Sequence, residues 1–295
     1  MTEAQRITAA LQGRWHGRYG LARCPAHGDR SPSLSLSDGP GGRLLAHCQT
    51  GCTFAAVLDA LRGLGIVEGR GTVPQADPAE LARYEAAQRR EADKREAQAR
   101  TIWAEAQPIG GTIAETYLRR RAITCALPDT LRFHADCWHG PTARRLPAMV
   151  ARIDGGERLA VHRTWLRGDG SGKAEVEPAK AMLGACAGGA VRLAGGQDAI
   201  AVAEGIETAL SLLCGPLTGS VAVWAALSTS GLTGLRLPTA PRKLIIATDG
   251  DAPGHAAGHK LAERAAALGW AVTMFPAPKG RDWNDVLQSM KGATP

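Results

Sequence analysis

The sequence predicts an α/β protein: a doubly wound, mainly parallel sheet toward the C-terminal end, preceded by a small β domain and a helical linker. Three observations carry this. From Asp198 onward, short apolar runs of strand length alternate with helical patterns, as in βαβ units. Residues 78–106 (PAELARYEAAQRREADKREAQARTIWAEA) are strongly charged and rich in good helix formers, with Pro78 at a helix start. The segment before them is rich in Gly, Ser, Cys and His and holds one alternating run, SLSLS at 33–37.

In chain order, residues 33–37 and 43–47 make a hairpin around the turn 38–42. Residues 78–106 make a connector helix with little apolar stripe. Residues 112–121 (TIAETYLRRR) read as a second helix, followed by mixed short strands to about residue 193. Then come a buried strand at 198–203 (DAIAVA), a helix at 206–213, and strands at 220–224 and 243–248 (KLIIAT). A helix at 254–268, a strand at 271–275 and a helix at 282–290 complete the pattern. The expected domains are 1–73, a charged linker at 74–111, a basic segment at 112–197 and the parallel sheet at 198–295.

At 295 residues, 44% hydrophobic and 21% charged, the chain has ample material for a packed core, and wholesale disorder is excluded. No apolar run approaches the roughly 20 residues that cross a bilayer. The first residues (MTEAQRITAALQGRW) lack the hydrophobic stretch of a secretory signal, so no membrane partner is expected. Seven cysteines, odd in number and unevenly spaced, do not read as a disulfide framework, and a cytoplasmic location is expected. The net charge of +7, with a pI near 9.2, is unevenly spread. Residues 1–73 carry 8 Lys/Arg against 5 Asp/Glu, and residues 119–180 carry 12 against 7. Residues 74–118 carry 6 against 8, and 198–295 are balanced at 8 each. The two basic segments suggest a polyanionic partner.

Cys24 and His27, then Cys48 and Cys52, are two short ligand pairs. The hairpin between them returns the chain to its start, so both pairs can meet around one ion. Three thiolates and an imidazole suit tetrahedral Zn²⁺ with no open position, a structural site. His47 is a rival ligand. Cys125, Cys137, Cys186 and Cys214 lack comparable partners and read as buried hydrophobes.

Glu204 directly follows the strand at 198–203, and Asp249 and Asp251 follow the strand at 243–248. Sites in doubly wound sheets form at the carboxyl ends of strands, so these three acids can converge. Clustered carboxylates repel one another, and their natural occupant is a hard cation such as Mg²⁺ or Mn²⁺. Asp282 and Asn284 either add a further oxygen ligand or simply cap the last helix. Glu204 taken alone is also a helix-start acid of the kind the macrodipole favours. Asp249, Asp251 and Gly254 fit the start of a calcium loop, but Pro253 and Lys260 stand at positions that exclude an EF-hand. The run GDGSGK at 168–173 lacks the spacing and the following Ser or Thr of a phosphate loop, and reads as a hairpin turn.

These residues resemble known families. Cys24-Pro-Ala-His27-Gly-Asp-Arg-Ser-Pro32-Ser33, followed by His47-Cys48 and Cys52, resembles the zinc-binding module of bacterial-type DNA primases. Ala203-Glu204-Gly205-Ile-Glu-Thr-Ala-Leu, then Ala247-Thr-Asp249-Gly-Asp251 with Gly254 and Gly258, resembles the Toprim signature. Both in this order are found in primases of phages, plasmids and other mobile elements, and together they span almost the whole chain.

The resemblance implies a zinc ribbon at 1–73, the helical linker, a basic first part of a polymerase core at 112–197 and a Toprim domain at 198–295. It implies Glu204, Asp249 and Asp251 as catalytic, magnesium-binding acids, with Asp282 as a further ligand. Asn284 departs from an acid, and Thr208 stands where many primases have Asp, with Glu207 beside it. His162-Arg163-Thr164 and residues 180–184 (KAMLG) resemble segments lining the template and nucleotide groove, so Arg163, Lys180 and Arg192 are candidate contacts. The implied reaction copies single-stranded DNA into a short RNA from NTPs, with a separately encoded replicative helicase as a further partner. The chain ends soon after the Toprim pattern, so no helicase or helicase-docking domain is expected on it.

Two other readings stay open. A Toprim nuclease uses the same acids with water in place of a 3′-hydroxyl. A strand-passing topoisomerase is disfavoured, because Tyr19, Tyr84 and Tyr117 sit in no nucleophile's context. A non-catalytic single-strand-binding accessory needs only the ribbon and the basic segments, and gains nothing from three convergent acids.

Overall fold

Residues 1–29, 31–39, 42–68, 78–217 and 219–292 are described in a computed structural model, in which the chain divides into two compact units, Met1–Arg83 and Tyr84–Pro295. The expected boundary between residues 73 and 74 lies outside the described residues.

The first unit starts with α1 (Glu3–Ala10), set by a reciprocal capping box between Thr2 and Gln5. Strands β1 (Arg14–Trp15), β2 (Gly20–Ala22), β3 (Leu34–Asp38) and β4 (Leu44–Cys48) form an antiparallel sheet in that order, followed by α2 (Phe54–Gly63). β3 and β4 are the expected hairpin, with Leu34 opposite Cys48. Ile7, Leu34, Leu36, Val57 and Leu61 form its core together with Cys24 and Cys48. Periodicity alone does not reveal α1, β1, β2 or α2, because two- and three-residue strands and short helices carry too few repeats.

The charged helix α3 (Pro78–Glu105) begins before the boundary and lies mostly in the second unit, with Glu91–Arg95 and Glu96–Arg100 pairs one turn apart. An antiparallel sheet follows, ordered β5 (Gln107–Pro108), β6 (Leu131–His139), β7 (Arg144–Ile153), β8 (Ala160–Trp165) and β9 (Lys180–Leu183), with α4 (Ile113–Arg120) between β5 and β6. The expectation of mixed short strands needs correction, since β6 and β7 run for 9 and 10 residues. A bulge between His134 and Cys137 breaks the alternation that would have marked β6 as one strand.

The parallel sheet is ordered β10 (Val191–Ala194), β12 (Val221–Ala225), β11 (Ala199–Ala203), β13 (Lys243–Ala247) and β14 (Ala271–Met274). All neighbours are parallel except β10, which runs antiparallel along β12. Helices α5 (Ile206–Leu213) and α8 (Trp283–Gly292) cover one face, and α6 (Thr229–Gly234) and α7 (Ala252–Ala267) the other. β11 is buried at every position because helices cover both its faces. Leu131, Phe133, Met149 and Ala151 of the antiparallel sheet pack into the same core as α5. Its other face, with Val150 and Val161, packs against Ala99, Ile102 and Trp103 of α3. The sequence pattern misses α6, whose six residues (TSGLTG) include two glycines and bury one leucine. No described helix is long and apolar enough to cross a membrane.

α7 approaches β13 closely at Gly258, where a Cβ would lie 2.4 Å from the methyl of buried Thr248. Gly258→Ala is expected to lose about 1–2 kcal/mol of stability, overpacking outweighing the gain in helix propensity. Urea unfolding checks this, and an unchanged midpoint would show that the helix can shift outward.

Candidate metal centre and acidic site

The ligand atoms of Cys24, His27, Cys48 and Cys52 all lie within 4.8 Å of one another, and among the described residues no other group of three or more metal-ligating side chains is this tight. The β3–β4 hairpin and the turn before α2 bring them together. Burial pushes the Cys24 thiol up to about 12. Cys48 is also buried, yet backbone N–H groups of Cys52 and Thr50 and the Ser33 hydroxyl bring it down to about 6. His47 is exposed, one residue from Cys48 along β4 and so on its opposite face, outside the cluster.

Asp29, which spacing does not single out, accepts hydrogen bonds from the Cys24 N–H (2.8 Å) and the Ser33 hydroxyl (2.6 Å). One of its oxygens stands 3.8 Å from His27 Nε2, leaving Nδ1 toward the thiols. The carboxylate thus stands behind the imidazole, on the side where a metal-ligating histidine is commonly supported, though beyond direct hydrogen-bond distance. Of the remaining cysteines, expected as buried hydrophobes, Cys137 is buried and Cys125, Cys186 and Cys214 are only partly so; Cys125 and Cys214 adjoin each other, Cys214 Sγ accepting from the Thr124 and Cys125 N–H groups, both at 3.3 Å.

In the parallel sheet, Ala203 pairs with Ala247, so Glu204 and Thr248-Asp249 leave the two central strands at the same level. Glu204 is half-buried, and burial together with the Asp251 charge holds its carboxyl above the usual range, with Lys180 opposing. Asp249 is pushed up to about 6, first by burial and then by Glu204, Asp282 and Asp251. Its Oδ1 is buried with no hydrogen-bond partner. Asp251 caps α7, its Oδ1 accepting from the Gly254 N–H at 2.7 Å. A Cβ on residue 254 would stand 2.9 Å from that oxygen, so glycine there admits the cap. Hard oxygens, mutual repulsion and an orphaned Asp249 oxygen fit a divalent cation such as Mg²⁺, which keeps several waters of its own.

Asp282 and Asp285 cap α8 reciprocally, through N–H bonds of 2.8 and 3.1 Å, while the Asp282 charge still reaches Asp249. Asn284 is buried with its amide fully engaged. Its Nδ2 donates to the Arg121 carbonyl and Ser211 hydroxyl, and its Oδ1 accepts from Gln288, all at 2.9 Å.

Register separates the basic candidates. Lys180 pairs with Thr164 and Arg163 with Ala181, so Lys180 and Arg163 leave opposite faces of the antiparallel sheet. Lys180 is on the acid side, where its charge acts on Glu204, Glu207 and His162. His162 shares that face; burial takes it down to about 4, so it is neutral at pH 7, and its Nδ1 has no hydrogen-bond partner. Arg163 lies 4.9 Å from the Trp165 ring centre and donates to the Trp138 carbonyl. Arg192 lies over Trp224 at 5.0 Å, in a cavity of about 330 Å³ shared with Arg242. Trp224 belongs to the core under α6 and α7, the face of the parallel sheet away from Lys180. Lys180 is therefore on the face turned toward the acids, and the two arginines are not.

The GDGSGK run is the expected turn, with Leu166 bridged to Lys173. Its lysine and Glu207 nevertheless form an ion pair at 3.4 Å. Tyr117 Oη donates to the same Glu207 oxygen at 2.6 Å. Burial works against the Glu207 charge, but Lys173 and Tyr117 together hold its carboxyl well below the usual range. The available signal was an acid inside a helix with no other charged residue, IETALSLL.

Two measurements check these sites. Cys48→Ser is expected to lose bound metal and unfold the small domain, because binding energy at a structural site is folding energy; full metal content would mean another ligand completes the set. Asp249 binds its proton more tightly folded than unfolded. It therefore adds stability to the metal-free protein below about pH 4, and that gain is lost as pH rises through about 6. Asp249→Asn should remove this dependence and raise the metal-free melting temperature at pH 7 by a few degrees. A lower melting temperature would mean that the carboxylate is stabilised by contacts not described above.

Residues 199–293 match the family model described as the Toprim domain, and residues 93–193 match a domain of unknown function, DUF7146. No curated protein matches the chain. Similar solved structures include the zinc-binding and RNA polymerase domains of the Aquifex aeolicus primase, at 14% identity and TM-score 0.41, covering 98% of this chain and 80% of that one. The RNA polymerase domain of the Mycobacterium tuberculosis primase DnaG is similar at 17% identity and TM-score 0.40, covering 69% of this chain and 83% of that one. A DNA primase domain from Pseudomonas aeruginosa is similar at 17% identity and TM-score 0.33, covering 54% and 52%. The doubly wound sheet that ends in Glu204, Asp249 and Asp251 is a Toprim domain, carried on a chain whose N-terminal Cys/His cluster fits a zinc module.

Proposed function

We propose that this protein is a DNA primase, making short RNA primers on single-stranded DNA by metal-dependent nucleotidyl transfer. The reading rests above all on one observation: a Toprim acid set is faced by a lysine from a second sheet, so that oxygens for a cation and a cation for phosphates share one site. Cys24, His27, Cys48 and Cys52 would hold structural Zn²⁺, with Asp29 orienting His27. Glu204, Asp249 and Asp251, with Asp282 nearby, would hold Mg²⁺ or Mn²⁺, which when bound polarises the phosphoryl group and offsets its charge.

In this reaction the 3′-hydroxyl of one nucleotide attacks the α-phosphate of the next NTP, and pyrophosphate leaves. Glu204, half-buried and with raised proton affinity, is suited to take the hydroxyl proton. Lys180 neutralises phosphate charge on the side away from the acids. The basic surplus of residues 1–73 and 119–180 supplies sequence-independent attraction for the template.

The test is to incubate the protein with single-stranded DNA, labelled NTPs and Mg²⁺ or Mn²⁺ and to resolve the products on a gel. New template-dependent short RNA is expected. Shortened DNA would identify the Toprim nuclease instead, and no product would leave a binding accessory. Asp249→Asn and Asp251→Asn should each lower primer yield per bound template a hundredfold or more, the scale of roughly 3–4 kcal/mol for one lost electrostatic contact. Template binding should hold, and asparagine can still cap α7. Near-normal yield from Asp249→Asn would place the chemistry elsewhere.

A further inference from the structure

The seam between the two sheets of the second unit holds an ion pair that the reaction above does not use. Glu207 lies three residues past Glu204 on α5 and is buried. Two other segments meet on it: Tyr117 from α4 at 2.6 Å and Lys173 from the turn before β9 at 3.4 Å. Lys180 stands within electrostatic reach of both Glu204 and Glu207. Lys180 leaves the sheet on the face turned to these acids, so two lysines and two glutamates lie within one another's electrostatic reach.

We propose that Lys173 is a positioning residue: it is the dedicated counter-ion of Glu207, and it thereby leaves Lys180 free to meet the triphosphate of an incoming nucleotide. The proposal rests on the primase reading. A buried carboxylate that loses its partner is left uncompensated and either takes up a proton or draws on the next cation within reach. Lys180 is such a cation, a compact ammonium on a flexible four-carbon stem. Among the described residues Glu207 forms its ion pair with Lys173 and with no other cation. Tyr117 offers one neutral hydrogen bond, His162 is buried and uncharged, and Arg121 lies over the Tyr117 ring at 5.8 Å. Without Lys173, Glu207 and the nucleotide compete for Lys180.

The experiment measures primer synthesis by the full, metal-loaded protein against NTP concentration, for wild type, Lys173→Met, Glu207→Gln and the double variant, with thermal melts alongside. Lys173→Met should raise KM for NTP about tenfold, the scale of one charge-assisted contact, with kcat near wild type. Glu207→Gln should leave KM within about twofold, and the double variant should return KM close to wild type, because no carboxylate remains to capture Lys180. An unchanged KM for Lys173→Met, or a double variant no better than it, would overturn the proposal. Where Lys173→Met does not fold, Glu207→Gln decides: a KM rise of about tenfold there makes the pair purely structural and overturns it. A wild type with no template-dependent synthesis overturns the primase reading and this proposal with it. An active wild type whose Lys173→Met variant is not rescued overturns the proposal alone.

Discussion

In-register parallel pairing of β11 with β13 is the constraint on which the acidic site depends. With Ala203 level with Ala247, the chain leaves two neighbouring strands together, and Glu204 and Asp249 emerge side by side. Like charges so placed, half-buried at the edge of a core, bind protons more tightly than they would in water. The sheet stays intact because its stability comes from elsewhere, from β11 buried at every position between two helical layers. The acids are a local cost that the core supports and that a divalent cation would relieve.

The antiparallel sheet answers that negative charge. Leu131, Phe133, Met149 and Ala151 share one core with α5, which seats β8 and β9 opposite the strand ends. Lys180 then faces Glu204, and Lys173 faces Glu207. The small domain solves a different problem. Its core is only a handful of aliphatic residues around Cys24 and Cys48, and a domain of that size commonly relies on a metal for stability.

How much of this was legible can be argued residue by residue. The helix Ile206–Leu213 and the strands flanking it lie within a residue or two of where the pattern puts them, since buried parallel strands are continuous apolar runs. β6 and β7 were illegible as long strands, because a bulge and a two-sided environment erase simple alternation. Asp29 was hidden because its partners are two backbone N–H groups and a serine, which leave no spacing signature.

What the sequence by itself determined is local: ligand pairs a hairpin apart, acids directly after strands, a charged helix, and glycines where a cap or a helix–sheet contact leaves no room for a side chain. Each follows from chemistry within one or two elements. The face on which a side chain emerges, and what stands across from it, were decided only by tertiary structure. Arg163 and Lys180 are both cations of one basic segment, yet strand register turns one toward Trp165 and the other toward Glu204. Glu207 on α5 and Lys173 in the turn before β9 lie more than thirty residues apart, and only the packing of the two sheets' layers makes them a pair. Long-range Coulomb and hydrogen-bond partners are properties of that packing, and no one-dimensional period encodes them.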